Sequence, residues 1–527
     1  MRSLQLGRRP SPDVAQSECH AGRSAHAGIA VHHHVRCVGP LVNELFDCAR
    51  VARGEENIRR LAALDDVIEV QPENSGEAIG DARRLSVRVR DGNADFPFAG
   101  LVTLGLLPGE DDELRDQSNH TNHITTIAAQ RPTSARLRVM NDQRQYDAIV
   151  VGLGAMGSAT LCHLALRGWR VLGLEQFSAG HSLGSSHGDS RIIRETYFEH
   201  PLYVPLVQRA HKLWRELEER SGSSLMTING GIMIGPPDGI VVAGSLRSAV
   251  QHNLPHELLT PEATRERFPA FHLADELVAV LDPRAGYLDP EACNQAHVSV
   301  AREAGAEARF DEPALAWMPD GSGVRVKTAT RTYLASRLVI AGGAWNLEML
   351  HDLQLPLTVE RQSVFWLEPE GEMQLYDRAR FPIYAYEYKP GSICYGFPRL
   401  PRGVKASVMH GGETSQRPDR VRRPIEKGEE EPLRAALRPV LPGLARASIR
   451  ESGVCIFTNT PDHDFIVDFH PDHPQVLVSS ACSGHGFKFA SALGEAQADL
   501  LTTGRAKLDL SAFRIDRWCA ETLLPEF

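Results

Sequence analysis

The hydrophobic pattern of the chain becomes regular just after residue 140. Tyr146 to Val151 is a short run of apolar and β-branched residues, which is typical of a buried strand. Ser158 to Arg167 has the composition of a helix that ends at Gly168, and Trp169 to Leu174 is a second apolar run. This succession of strand, helix and strand predicts a parallel βαβ unit.

Helical and strand patterns alternate from there to the C-terminus, without an internal repeat. Arg337 to Trp345 is a further apolar run that leads into two glycines and predicts a strand followed by a turn. Segments rich in Pro and Gly, such as GIMIGPPDG and YGFPRLPRG, predict the loops between elements. The alternation favours an α/β or α+β enzyme, and a length of 527 residues favours more than one domain.

Residues 1–139 differ in composition from the rest of the chain. They contain no Lys, Trp or Tyr but many Arg and His, including the run His32, His33 and His34. We interpret this extension either as upstream sequence translated from before a true start at Met140, or as an appendage with too little aromatic surface to fold well. The histidine run lacks neighbouring Cys, Asp or Glu at ligand spacing, so we expect a solvated loop and no metal site.

Composition and charge restrict the class of partner. Hydrophobic residues make up 42% and charged residues 24% of the chain, as in ordinary globular proteins. A formal net charge of -10 provides no broad basic field for nucleic acid or anionic lipid, which favours a small-molecule partner. The nine cysteines form no CxxC pair, and no segment is long and apolar enough to span a bilayer. We therefore expect a cytoplasmic protein with reduced thiols.

The βαβ unit carries the glycine spacing of a dinucleotide site. Gly152, Gly154 and Gly157 follow the first strand as G-x-G-x-x-G, and Glu175 closes the second strand. The first glycine permits the tight turn, the second lets a pyrophosphate approach, and the third lets the helix pack on the strand. A carboxylate at Glu175 is placed to accept hydrogen bonds from ribose hydroxyls. FAD and NAD share this cradle, so these residues leave the choice between them open.

Four stretches together resemble the monomeric sarcosine oxidase family, which includes N-methyltryptophan and pipecolate oxidases. They are the glycine cradle, SSHGDSRIIR at 185–194, GVCIFTNTPDHDFIVD at 453–468 and SGHGFKF at 483–489. The resemblance runs from about Met140 nearly to the C-terminus. It implies a Rossmann-type FAD-binding domain built from residues 140–225, 291–360 and 461–520, and an antiparallel-sheet substrate domain built from 226–290 and 361–460.

The resemblance also implies roles for individual residues. Cys455 matches the cysteine whose sulfur is joined to the flavin, so FAD is expected to be covalent, and an unattached packing cysteine is the alternative. Arg194 and Lys488 match the pair that holds the substrate carboxylate. Four further residues match groups near the flavin or the substrate. His187 and Arg191 match cationic or hydrogen-bonding groups, Lys405 matches a lysine for oxygen activation, and Tyr395 matches a wall of the pocket.

Two positions depart from the family pattern and leave the identity of the amine open. Met409 stands where a histidine often follows the flavin-side lysine, with His410 one place later. Phe457 replaces an aromatic hydroxyl two residues after the attachment cysteine. Both changes make the expected pocket less polar, and pocket shape discriminates between side chains only modestly.

The implied reaction is oxidation of the carbon–nitrogen bond of a secondary amino acid. The substrate carbon loses a hydride to flavin N5, water hydrolyses the resulting imine, and O2 reoxidises the flavin to give H2O2, without a catalytic metal. A dehydrogenase of the same fold with another electron acceptor is one alternative, and Lys405 argues against it. A flavin-binding scaffold without turnover is another, and Arg194 with Lys488 argue against that. The oligomeric state stays open, with a monomer compatible with the resemblance.

Overall fold

The computed structural model describes residues 145–518 and three short strands nearer the N-terminus. The chain divides into two compact units, Met1–Thr133 and Ser134–Phe527. In the first unit the strands form an antiparallel sheet in chain order, and they are Ile68–Pro72, Arg84–Val89 and Val102–Gly105. The expectations for the remainder of residues 1–139 lie outside the described residues and stay predictions.

The first sheet of the second unit contains the predicted βαβ unit and is called here the parallel sheet. Its eight strands are Gln145–Val151, Val171–Leu174, Glu307–Arg309, Ala316–Asp320, Gly323–Lys327, Thr332–Ile340, Ile466–His470 and His473–Ser480. The strand that begins at Gln145 lies between Val171–Leu174 and Thr332–Ile340 and is parallel to both. A hairpin at Ala316–Lys327 and the strand Ile466–His470 add antiparallel edges.

Helices cover this sheet because their apolar faces need a partner. The α-helices of the unit are Ala155–Leu166, Tyr203–Ser221, Ile240–Gln251, Pro261–Arg267, Pro290–Glu303, Asn346–Met349, Glu431–Leu437, Pro442–Ala445 and Ala490–Thr503. The first of them starts three residues before the predicted Ser158, since Gly154 already acts as its N-cap. It packs against Pro290–Glu303 and Ala490–Thr503, and Gly494 permits a close approach to Ala159.

The second sheet of this unit is called the large sheet. Its nine strands are Gly231–Gly235, Glu257–Leu259, Val278–Asp282, Thr358–Glu368, Ile383–Lys389, Ser392–Leu400, Gly403–Met409, Thr414–Ser415 and Ser448–Asn459. All neighbours are antiparallel except Ile383–Lys389 and Gly231–Gly235, which run parallel. A third, three-stranded antiparallel sheet joins Arg191–Ile193, Gly286–Leu288 and Met226–Ile228. The predicted fold class, a Rossmann-type sheet beside a largely antiparallel one, is confirmed.

The parallel sheet and the large sheet each have their own apolar core. Ala148, Val150 and Leu161 belong to the core between the parallel sheet and its helices. Phe365, Phe381 and Tyr384 belong to the core under the large sheet. The two cores therefore fix the strands of both sheets. The side chains on the loops and strand faces between the two sheets are held in place as a result.

Candidate functional site

A cavity of about 530 Å³ is lined by residues of both sheets and of the loop 176–190. The residues predicted for the site line this cavity with the exception of Gly157, and they are Gly152, Gly154, Glu175, His187, Arg191, Arg194, Tyr395, Lys405, Cys455 and Lys488. These residues come from parts of the chain more than three hundred positions apart. The fold therefore brings the separate motifs to one site.

The glycine cradle forms one end of the cavity. Gly152 has a φ of +87, and a Cβ there would lie 2.5 Å from the Ala341 carbonyl oxygen. Gly157 lies outside the cavity lining because it packs on Gly152, whose oxygen would be 1.8 Å from a Cβ at 157. A Cβ at Gly154 would meet only Ser186 Oγ, at 3.5 Å. The first and third glycines thus serve chain packing, whereas the second keeps space open toward the cavity.

The cradle fits the phosphates and ribose of a flavin dinucleotide. Helix Ala155–Leu166 begins beside the cavity with a glycine as N-cap and no acidic residue in its first turn, where Ala155 N–H donates to Ser186 Oγ at 3.2 Å. The positive end of the helix therefore faces the cavity without a negative charge in its first turn. Glu175 is buried and accepts from the Leu153 and Phe177 backbone N–H groups, at 2.8 and 3.1 Å. His187 Nε2 and Ser480 Oγ line the cavity and lack a hydrogen-bond partner among the described residues. These unpaired groups and the open cradle fit a polar ligand such as FAD.

Cys455 lies in the wall of the cavity on strand Ser448–Asn459, opposite Gln362 in the neighbouring strand. Its sulfur is 3.4 Å from Arg191 Nη2, and the same nitrogen donates to the Ser185 carbonyl oxygen at 2.7 Å. Cys455 and Arg191 therefore stand side by side in this wall of the cavity.

His187 lies in the same wall but carries no positive charge near neutral pH. Burial and the adjacent Arg191 lower the pKa of its imidazole to about 3, with Lys405 adding to the effect. Of the two properties expected of His187, the structure therefore favours hydrogen bonding over cationic charge.

Lys405 projects from strand Gly403–Met409 into the cavity wall and is 2% exposed. Its ammonium donates to the carbonyl oxygens of Gly188 and Ser190, at 2.5 and 3.0 Å. The rings of Trp366 and Phe397 enclose it, with centroids 5.6 and 5.1 Å from Nζ. Burial, reinforced by Arg191, lowers the pKa of Lys405 well below its usual range.

Arg194 also lines the cavity and is buried between two aromatic rings. Its guanidinium carbon lies 4.1 Å from the centroid of Tyr197 and 3.9 Å from that of Phe198. Nη2 forms an ion pair with Glu199 Oε2, whereas Glu199 Oε1 is buried without a partner in the described chain. Burial favours the neutral carboxyl, but Arg194 outweighs it, with His485 and Lys488, and the pKa of Glu199 falls. Arg194 is thus fixed and already holds one carboxylate.

Lys488 approaches the same ring as Arg194 from a different element. Its Nζ lies 5.2 Å from the Tyr197 centroid and donates to the His485 carbonyl oxygen at 2.6 Å. Tyr197 Oη in turn lies 2.5 Å from His485 Nδ1. Burial lowers the pKa of Lys488 to about 7, with a further lowering by Arg194. The two cations predicted to hold one carboxylate therefore converge on one aromatic residue.

One part of the cavity wall is apolar and aromatic. Tyr395, Met409 and Phe457 all line it. A Cβ at Gly484 would lie 3.0 Å from Phe457 and 3.1 Å from Met409, so these two side chains meet over the loop that leads to Lys488. His410 points elsewhere, because its Nδ1 lies 2.9 Å from Glu360 Oε2. The His410 imidazole therefore does not replace, in the cavity, the histidine that is often found at the position of Met409 in the family.

Glu199, Tyr197 and His485 contact these two cations, although no pattern in the sequence predicts a role for them. His485 lies within the quoted SGHGFKF motif, and Tyr197 and Glu199 follow directly after the RIIR run. Proximity to these two motifs is the one sequence signal for the three residues, since an ion pair between a carboxylate and an arginine leaves no periodic pattern in the sequence.

Two further observations concern metal sites and membrane spans in the part of the chain that the structure describes. Within residues 145–518 no group of three or more His, Cys, Asp or Glu is arranged to hold a metal ion, and His32 to His34 lie outside that range. None of the helices in the described part is long and apolar enough to cross a membrane.

Comparison with known proteins identifies the group to which this architecture belongs. Residues 147–500 match the family of FAD dependent oxidoreductases. Monomeric sarcosine oxidase of Streptomyces avermitilis is 42% identical over 372 residues, covering 70% of this chain and 96% of the relative. N-methyl-L-tryptophan oxidase of Yersinia pestis is 35% identical over 376 residues, covering 71% and 99%.

A solved structure agrees with these matches at the level of the fold. NikD, an unusual amino acid oxidase essential for nikkomycin biosynthesis, superposes in its open form with a TM-score of 0.62. The superposition covers 71% of this chain and 98% of NikD at 24% sequence identity. The arrangement of the two sheets is therefore shared with an amino acid oxidase.

Proposed function

The chain belongs to the FAD-dependent oxidoreductase family, and from this membership we propose that it oxidises the carbon–nitrogen bond of a small secondary amino acid, N-methylated or cyclic, with O2 as electron acceptor. The proposal extends to this chain the activity named for its relatives, monomeric sarcosine oxidase and N-methyl-L-tryptophan oxidase.

One observation carries the amino-acid part of the proposal, namely the convergence of Arg194 and Lys488 on Tyr197 inside the cavity. Two buried cations stand beside a single half-buried carboxylate, Glu199, so their combined charge can accommodate a second anion. A guanidinium binds a carboxylate through parallel hydrogen bonds and an ammonium adds a point charge. The pair would fix the substrate carboxylate and so orient its α-carbon toward the middle of the cavity.

FAD is the cofactor that the family requires, and the residues of the cradle fit it. Gly152, Gly154 and the start of helix Ala155–Leu166 would hold the pyrophosphate, and Glu175 the ribose. Cys455 would bond to the isoalloxazine ring through sulfur, with the Arg191 guanidinium 3.4 Å from that sulfur. When bound, FAD supplies hydride acceptance from the substrate carbon and subsequent reaction with O2.

Lys405 supports an oxidase rather than a dehydrogenase. A buried ammonium beside the flavin site stabilises negative charge that develops on oxygen when it is reduced. Its enclosure by Trp366 and Phe397 excludes water and strengthens that interaction. A dehydrogenase would transfer electrons to another carrier and would release little peroxide.

The apolar wall supports a substrate larger or less polar than sarcosine. Met409 and Phe457 present a thioether and a phenyl ring where hydrogen-bonding groups are common in the family. An apolar N-substituent or side chain would bury surface there, at roughly 25 cal/mol per Å². We further propose the parallel sheet as the flavin domain and the large sheet as the substrate domain. Cytoplasmic location and a monomeric state stay predictions.

A substrate panel tests the proposed function. Sarcosine, N-methylated amino acids with apolar side chains, cyclic amino acids and the decarboxylated counterpart of each are assayed for peroxide release and for reduction of an artificial dye. We expect peroxide from the carboxylate-bearing amines, with the highest kcat/KM for apolar members. Flavin reduction by substrate without peroxide in air would favour the dehydrogenase, and no flavin reduction by any member would refute amine oxidation.

A further inference from the structure

The segment that holds Lys405 is a strained turn. Ser190 N–H donates to the Gly188 carbonyl oxygen at 2.8 Å, and the residue between them, Asp189, has a φ of 65. Closure over three residues with a positive central φ defines the rarer and more strained form of γ-turn. Such backbone persists only where neighbouring groups hold it.

The carbonyl oxygens of this turn are the main ligands of the ammonium. Lys405 Nζ binds Gly188 O and Ser190 O, and Ser190 Oγ lies at 3.4 Å. Across the described chain no carboxylate is hydrogen-bonded to Lys405. The position of the ammonium in the cavity therefore depends on the direction in which these two carbonyl groups point.

Glu291 binds the opposite side of the same backbone. It stands in the first turn of helix Pro290–Glu303, after the N-cap Asp289, and its carboxylate lines the cavity. Oε1 accepts from Gly188 N–H at 2.5 Å and Oε2 from Asp189 N–H at 3.2 Å.

The geometry of a peptide group links these two sets of contacts. Asp189 N–H and Gly188 C=O belong to one planar trans peptide and point in opposite directions. A carboxylate that fixes the N–H on one side therefore fixes the carbonyl that faces Lys405 on the other. The Asp189 side chain is held separately, by Trp366 Nε1 at 3.1 Å and Arg402 Nη1 at 3.2 Å.

We propose that Glu291 is a positioning residue for Lys405, acting through the Gly188–Ser190 turn that it holds in a strained conformation. The proposal rests on the proposed function, in which Lys405 serves the reaction with O2. Glu291 reaches Lys405 through one peptide group, so its loss lets that peptide rotate and releases the ammonium from its carbonyl ligands.

Glu291 also contributes charge to the surroundings of Lys405. Burial and Arg191 lower the pKa of Lys405, whereas Cys455, Asp189 and Glu291 raise it. Loss of the Glu291 charge therefore adds to the effect of a released turn, because both changes favour the neutral amine. The pKa of Lys405 is therefore expected to fall further, with about tenfold more neutral amine at pH values where the ammonium predominates in wild type.

The test measures the amine itself, and it needs no turnover. Flavin-loaded wild type, Glu291→Gln and Glu291→Ala are pulsed with acetic anhydride at a series of pH values, and acetylation of Lys405 is followed by peptide mass spectrometry. Glu303→Gln, an exposed carboxylate at the other end of the same helix, is the matched control. We expect Lys405 to be labelled about tenfold faster in Glu291→Gln than in wild type and the control.

Labelling of Lys488, which is also buried in the cavity wall, separates a local effect from general loosening. Unchanged Lys405 labelling in both Glu291 variants would overturn the proposal, and so would an equal rise at Lys488. Glu291→Gln keeps the size of the side chain, so it remains informative if Glu291→Ala does not fold. The oxygen reaction of the reduced enzyme is expected to slow in step with the labelling. If Lys405 is acetylated faster in the Glu291 variants but the protein oxidises no amine, the positioning role of Glu291 stands and only the proposed function is refuted.

Discussion

Removing either cation at the end of the cavity should selectively weaken the use of carboxylate substrates. Arg194 and Lys488 are 3% and 4% exposed, so a ligand carboxylate between them would be largely desolvated. A hydrogen bond to a charged group contributes about 1.5–3 kcal/mol, which corresponds to about one to two decades in kcat/KM. We therefore expect losses of this size in Lys488→Met and in Arg194→Met.

The two variants differ in one respect that the structure makes explicit. Arg194→Met also deprives the half-buried Glu199 of its ion pair, and a carboxylate with restricted access to water is destabilising when it is unpaired. The double variant Arg194→Met/Glu199→Gln removes this side effect. The loss of kcat/KM that remains in the double variant measures what Arg194 contributes to the carboxylate clamp, which is the pair Arg194 and Lys488. Any recovery relative to Arg194→Met measures the effect of the unpaired Glu199 charge.

Steady-state kinetics on the best amino-acid substrate and on its decarboxylated counterpart provide the assay. The kcat/KM for the carboxylate-free amine should fall far less, since this amine has no carboxylate to contact Arg194 and Lys488. The flavin content should be unchanged. Exposed residues of the large sheet provide matched controls, Lys389→Met and Arg399→Met. Wild-type kcat/KM for the amino acid in both Lys488→Met and the double variant would refute the substrate-site assignment even if FAD binds as proposed.

Three further predictions concern charge, attachment and the extension. Because the pKa of Lys488 is lowered to about 7, its ammonium is present below that pH and lost above it. The Kd of a simple carboxylate such as acetate, measured from the change in flavin absorbance, should therefore rise as the pH passes 7 in wild type. In Lys488→Met the same Kd should not change with pH in this range. Acid-precipitated wild type should remain yellow and Cys455→Ala should release its flavin, whereas a colourless wild-type pellet would contradict covalent attachment. Deletion of residues 1–139 should preserve flavin content and the thermal unfolding midpoint, and an insoluble or flavin-free product would make the extension structural.

The sequence by itself determined the local framework of the site. The strand at Tyr146 to Val151, the glycine spacing and the acid at Glu175 form one contiguous pattern, because a βαβ unit is built from neighbouring residues whose periodicity is visible in the chain. The same pattern predicts the helix start at Ser158, three residues late, since Gly154 serves both as cradle and as N-cap. The four motifs in order likewise predicted the family and the two-sheet fold.

Only the tertiary structure decided which side chains meet. Nothing local indicates that Glu199 faces Arg194, that His410 turns to Glu360 while Met409 lines the cavity, or that Glu291 holds the turn beneath Lys405. The Pro290–Glu291 pair by itself predicts no more than the acidic first turn of a helix. These contacts join residues up to about a hundred positions apart, and they depend on strand register and on the direction of single peptide groups. Both are set by packing between sheets, which the order of residues within one element does not encode.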